Sequence, residues 1–269
     1  MTAPTAGETS GPLATDRDGS LLRVVLDRPA VHNALSGELL GALGATLRAA
    51  AGDTSVRVVV LSGAGDRAFS AGADLDELAG LSAGAARTVL RRGQDVLWQL
   101  EHMPVPVIAA VDGLALGGGF ELALACSFVV ASTSARFGFP ETGLGLMPGY
   151  GGTQRLPRLV GRGPALHLML TGARMGAERA HQLGLVAVPP MSPAELPGAA
   201  DEIARRVASR GPRANRQVLE AVSAGSEASL DTALRLESTL AALAIASPEG
   251  AEGVSAFRER RDPTFEDSE

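Results

Sequence analysis

Two almost uninterrupted apolar runs, VRVVVL over 56–61 and VPVIAAV over 105–111, constrain the architecture of this chain more than any other feature. A strand with one wet face alternates apolar and polar residues. A run without alternation is buried on both faces, as in a parallel sheet covered by helices. Shorter runs at Leu21–Leu26 and Phe128–Ala131 add further strands, and segments of helical period over 37–51 and 87–102 lie between them. Strands alternating with helices define an α/β class. From residue 152 onward strands nearly vanish, and 162–171, 177–183, 199–208, 212–224, 229–246 and 248–261 all carry helical patterns. Pro189, Pro190, Pro193 and Pro197 crowd a loop in that half.

Composition removes several function classes. With 45% hydrophobic and 20% charged residues, the chain can bury a core and is not of the disordered type. A net charge of −6 leaves no basic footprint for nucleic acid or an anionic membrane. All 24 basic side chains are arginine, so a lysine-dependent phosphate loop and Schiff-base chemistry are both excluded. Cys126 is the lone cysteine, which rules out an intrachain disulfide and a multi-cysteine metal site. His32, His102, His167 and His181 show no metal-ligand spacing. No apolar run approaches the roughly 18–20 residues of a membrane span. Residues 1–18, rich in Thr, Ala, Gly, Ser and Pro, lack the basic and apolar regions of a signal peptide and read as a mobile leader, so the expected location is cytoplasmic.

Two glycine-rich turns follow the apolar strands. The first is Phe69-Ser70-Ala71-Gly72-Ala73-Asp74-Leu75, and the second runs from Asp112 through Gly117-Gly118-Gly119 to Glu121. A strand passing through three glycines into a helix start presents free N–H groups at the positive end of the helix dipole. The spacing G-x-x-x-G-G-G is not the dinucleotide fingerprint. Glu121 falls one helical turn beyond these amides within a wholly apolar neighbourhood. A buried carboxyl there is expensive, and its presence calls for a reason. Glu141 follows Pro140 at the start of the next helical segment, where an acid complementing the helix dipole would by itself account for it. Gly80-Leu81-Ser82-Ala83-Gly84 matches the G-x-S-x-G pattern of serine hydrolases, but a polar helical segment precedes it instead of a buried strand. Ser82 is therefore expected to be a helix N-cap.

The strings IAAVDGLALGGGFELALAC and ARFGFPETGLGLMPGYGGTQRLPRLVG resemble the enoyl-CoA hydratase/isomerase (crotonase) family. The resemblance extends from LDRPAVHNAL through AFSAGADLDEL to AFRERRDPTF near the C-terminus. It implies a crotonase-like spiral of ββα units over 19–200, with a C-terminal helical trimerisation region over 201–269. It also implies a coenzyme A thioester as substrate, a homotrimer or dimer of trimers, and no cofactor beyond the coenzyme A carried by the substrate. Glu121 and Glu141 match the two catalytic acids of the hydratases, and Ala73 and Gly118 the amides of an oxyanion hole. Arg28, Ala71, Asp74, Leu75, Leu114, Gly117, Pro140, Gly149, Phe257 and Arg260 match substrate-binding positions, with Phe257 and Arg260 reaching a neighbouring subunit's site. Ala30 stands where relatives often carry a basic residue, with Arg28 available to replace it. Relatives that isomerise, hydrolyse or decarboxylate often keep one glutamate or neither, so the pair favours hydration. An isomerase or dehydratase of a specialised pathway is the alternative. Tyr150 reads equally as a residue narrowing an acyl pocket or as a partly exposed loop tyrosine.

Overall fold

A computed structural model describes residues 11–266. Its N-terminal half is a winding of strand pairs. Strands β1 (Leu13–Asp18) and β2 (Leu21–Leu26) form an antiparallel hairpin, and helix α1 (Gly37–Gly52) follows. The chain then repeats one unit three times: a strand in one sheet, a short strand in a second sheet, then helix. The first unit holds β3 (Val58–Gly63), β4 (Ala68–Ser70), α2 (Leu75–Leu78) and α3 (Ala83–Glu101). The second holds β5 (Val107–Val111), β6 (Leu114–Leu116) and α4 (Gly118–Leu124). The third holds β7 (Phe128–Ala131), β8 (Arg136–Gly138), a 3-10 turn at Glu141–Leu144, α5 (Gly152–Val160) and α6 (Arg162–Thr171). Strand β9 (Arg174–Gly176) and helices α7 (Ala177–Gln182), α8 (Leu196–Ala208), α9 (Pro212–Ser226), α10 (Leu230–Ile245) and α11 (Pro248–Glu259) complete the chain.

One sheet has the order β1-β2-β3-β5-β7 and is parallel beyond its first hairpin. The other has the order β4-β6-β8-β9, with only β9 antiparallel. This is the ββα spiral that the family resemblance implies.

The uninterrupted apolar runs are explained by burial. Val59, Leu61, Val107, Ala109 and Val111 face the core beneath α1 and α3. The residues between them, Val58, Val60, Ile108 and Ala110, face a second core closed by Leu196, Ala200, Ala204 and Ala208 of α8. Helix α8 thus covers the outer face of the larger sheet. The expected division at residue 200 falls inside it, and the helices that stand clear of the sheets begin only with α9.

The expected leader ends earlier than composition indicated. Met1–Ser10 lies outside the described residues, but Leu13–Asp18 is β1, paired with β2 from Leu13↔Leu26 to Asp18↔Leu21. Its polar residues mask the strand because they serve ion pairs: Arg17 with Asp53, and Asp16 and Asp18 with Arg23. Helix α5, which the periodicity did not single out, carries an internal Pro157. Ser82 caps α3 by accepting the Ala85 N–H at 3.3 Å, and α2 precedes it instead of a strand, so the serine-hydrolase geometry is absent.

Candidate active site

Ala71 and Ala73 of the first glycine-rich turn, Gly117 and Gly118 of the second, and both glutamates border one apolar cavity of about 290 Å³. The first turn is anchored on the loop after β2. Asn33, fully buried and left-handed (φ 56°), donates to the Ala64 and Ala68 carbonyls and accepts the Arg28 N–H. Leu35 N–H donates to the Gly72 carbonyl, and Asp74 N–H to the Leu35 carbonyl, at 2.8 and 3.2 Å. The Ala73 N–H between them makes no hydrogen bond among the described residues.

Gly118 opens α4, so its N–H has no partner within the helix either. The two free amides are neighbours: a methyl group on Gly118 would lie 3.2 Å from the Ala73 nitrogen. Gly117, just before them, has φ 50° and ψ −124°, a conformation that L side chains rarely adopt. A Cβ there would also sit 2.7 Å from Glu141 Oε1. The triple glycine therefore lets the backbone turn and lets Glu141 approach it.

Glu121 lies in the first turn of α4 and is 1% exposed. One oxygen, Oε1, accepts the N–H groups of Tyr150 and Gly152 at 2.8 and 2.7 Å. Among the described residues no hydrogen bond to the other oxygen is formed, and the residue borders the cavity. Burial raises the pKa of this carboxyl, while the Gly152 and Tyr150 amides and the nearby Arg155 act against that rise. The loop that supplies these amides is itself held. Gln94 of α3 donates to the Gly149 carbonyl, and Arg155, paired with Glu101, donates to the Tyr150 carbonyl.

Glu141 begins the 3-10 turn at Glu141–Leu144, which Thr142 fastens to the Met169 carbonyl of α6. It does stand at a helix start, yet that does not account for its side chain, because Oε2 is buried with no hydrogen-bond partner among the described residues. Burial, joined by the charge of Glu121, pushes its pKa up to about 7. The site thus holds two carboxyls: one fixed by two amides, the other with an unpaired buried oxygen and a pKa raised by burial.

Of the other expected substrate-binding residues, Ala71, Leu75, Gly117, Pro140 and Gly149 line the cavity. Arg28, Asp74 and Leu114 do not. Arg28 pairs with Asp74 at 2.9 Å, and Leu114 belongs to β6. Phe257 and Arg260 end α11, also outside the cavity, with Phe257 84% exposed. The sequence reasoning missed Leu78, Leu90, Leu144, Leu146 and Met147, which give the cavity its apolar character. The available signal was Leu144, Leu146 and Met147, large apolar residues set among glycines at and just beyond the 3-10 turn. Tyr150 is 2% exposed and borders the cavity, which rejects the exposed-loop reading. Among the described residues no cluster of His, Cys, Asp and Glu could hold a metal ion.

Comparison with known proteins gives a consistent picture. Residues 16–268 match the family model described as enoyl-CoA hydratase/isomerase. The chain is 40% identical over 250 residues to a crotonyl-CoA hydratase of Syntrophomonas wolfei, covering 93% of this chain and 96% of that protein. It is 39% identical to a short-chain-enoyl-CoA hydratase of Clostridium acetobutylicum, covering 91% and 94%. Among solved structures, an enoyl-CoA hydratase from Bacillus anthracis superposes with a TM-score of 0.92 at 40% identity, covering 96% of this chain and all of that one.

Proposed function

The chain belongs to the enoyl-CoA hydratase/isomerase family and is an enoyl-CoA hydratase, and from that premise we propose how its residues divide the work. The carrying observation is that two unpaired amides and two buried carboxyls, Glu121 held by two backbone N–H groups and Glu141 with Oε2 unpaired, border one apolar cavity. The thioester carbonyl accepts hydrogen bonds from the Ala73 and Gly118 N–H groups. These are preorganised for the negative charge that grows on that oxygen when water adds at C3. Glu121 holds the water on its open oxygen and takes a proton from it as the new C–O bond forms. The displaced π electrons pass to the thioester oxygen and return as C2 takes a proton from Glu141. The acids have then exchanged protonation states, and the reverse reaction runs from that state. No step calls on a metal or redox cofactor, and coenzyme A enters as part of the substrate.

Loss of the conjugated enoyl absorbance of crotonyl-CoA tests this reading, and absence of turnover on a panel of enoyl-CoA thioesters would reject it. Its pH profile is a sharper test. The reactive pair carries one proton in both directions, and hydration consumes no net proton, so hydration and dehydration must share one profile of kcat/KM. Activity should fall above about pH 7 as the pair loses its proton, and fall again in acid as both carboxyls become protonated. A rate flat from about pH 6 to pH 9 would contradict the assignment of Glu141.

The helical tail supports a homo-oligomer, a trimer or a dimer of trimers. Helix α9 buries no residue within the chain, and α10 buries only Leu240. Val222, Leu230, Leu243, Ile245 and Phe257 remain exposed in the single chain, apolar side chains that packing against further copies would cover. Phe257 and Arg260 would then approach the coenzyme A of a neighbouring subunit, while Arg28, Asp74 and Leu114 would lie along its path in their own. Light scattering should give a trimer or hexamer at micromolar concentration, and a monomer would oppose this arrangement. No helix among the described residues is long and apolar enough to cross a membrane. A cytoplasmic location fits that observation and the acyl-CoA substrate.

A further inference from the structure

Tyr150 has a backbone role in holding Glu121, but its side chain is not used by the chemistry above. The ring fills the gap between α3 and α4. One edge meets Gly93 of α3, where any Cβ would overlap Cε1 and Cδ1. The other edge meets Gly118, whose Cβ would lie 3.0 and 3.1 Å from Cδ2 and Cε2. Tyr150 borders two separate spaces. On one side is the acyl cavity, whose apolar lining includes Leu78, Leu90 and Met147. On the other is a cleft of about 470 Å³ between α3 and α5, lined by Arg91, Gln94, Asp95, Trp98, Arg155 and Arg158.

We propose that the Tyr150 ring is the wall that limits acyl-chain length, closing the cavity against the polar cleft behind it and restricting the enzyme to short enoyl chains. The inference rests on the hydratase reading and adds a substrate class to it. A chain longer than the cavity must either displace a ring seated between two glycine contacts or leave its last methylenes outside apolar surroundings. Each methylene a hydrophobic pocket accepts or rejects changes specificity by about 10–200-fold. The ring acts here by bulk. Its hydroxyl makes no hydrogen bond among the described residues, so removing it leaves the wall standing.

The experiment compares kcat/KM for crotonyl-, hexenoyl-, octenoyl- and decenoyl-CoA in the parent enzyme and in Tyr150→Phe, Tyr150→Leu and Tyr150→Ala. Every variant keeps the N–H that holds Glu121, since only proline lacks it. Tyr150→Phe should keep the parent's preference. Opening the wall with Leu or Ala should raise the decenoyl-to-crotonyl ratio by about 10–100-fold. A folded Leu or Ala variant with an unchanged ratio overturns the inference. A second measurement needs no variant: inhibition of the parent by saturated acyl-CoAs should tighten with chain length only up to a short chain and then level off. Affinity that climbs steadily to the dodecanoyl thioester overturns it as well. A parent enzyme with no activity on crotonyl-CoA or its homologues would instead reject the hydratase reading beneath it, so the two failures are distinct.

Discussion

Glu121→Gln and Glu141→Gln should each slow hydration of crotonyl-CoA by about 10²–10⁴-fold, the usual contribution of a positioned acid or base. The structure makes these substitutions clean. In Glu121→Gln the amide oxygen can still accept the Tyr150 and Gly152 N–H groups, so the loop keeps its anchor. The NH₂ then faces the cavity, where it can donate to water but cannot take a proton from it. In Glu141→Gln the side chain keeps its shape and the neutral state that burial favours, yet has no proton it can deliver. Steady-state kinetics with enoyl absorbance measures both losses. The two groups share one proton and act on one substrate, so the double variant should be little worse than the poorer single variant. Fully multiplicative losses would mean that the carboxyls act in separate steps and would count against the shared-proton account.

The second large effect concerns the backbone. Gly118→Ala should lower kcat by about 10²–10³-fold, the cost of losing one oxyanion donor. The new methyl would lie 3.2 Å from the Ala73 nitrogen and 3.0 Å from Tyr150 Cδ2, crowding the free Ala73 amide and forcing the two N–H groups apart. Gly118 does not have a positive φ, and it heads a helix, so alanine brings no backbone strain there. The loss should therefore appear mainly in turnover, with a modest fall in melting temperature from the methyl pressed against the Tyr150 ring. Gly118→Val, larger still, should be worse. A folded Gly118→Val enzyme with parental turnover would remove these amides from the mechanism.

Much of this architecture was readable from residues because burial on two faces leaves a plain mark. The spans of β2, β7 and α6 agree with the apolar runs and helical period. Strands β4, β6 and β8 are three residues each and sit inside glycine-rich turns, too short for any period to register. Only the family resemblance implied the second sheet that they form. Strand β1 was hidden because its outward residues are charged, and its stability comes from pairing with β2 and from ion pairs distant in sequence. The catalytic centre was legible for an energetic reason: a carboxyl amid Leu122, Ala123 and Leu124 costs too much to be incidental. Glu141 was not legible in that way. A proline and a helix start would have explained it, and only its buried, unpaired Oε2, with Oε1 set against Gly117, marks it out. The acyl lining was the least visible part, because Leu144, Leu146 and Met147 come from an irregular segment whose packing is set by α3 and α6.

Hydration by a pair of acids is the central claim, and solvent isotope exchange at C2 tests it most directly. In deuterated water the parent should place deuterium at C2 as it adds water at C3. A hydratase that uses one carboxyl for water and the other for the C2 proton should lose hydration and label incorporation together in Glu121→Gln and in Glu141→Gln. An isomerase can carry a proton between C4 and C2 with a single base. If Glu121→Gln keeps near-parental double-bond migration with label at C2 while Glu141→Gln abolishes it, the two-acid hydration mechanism is contradicted.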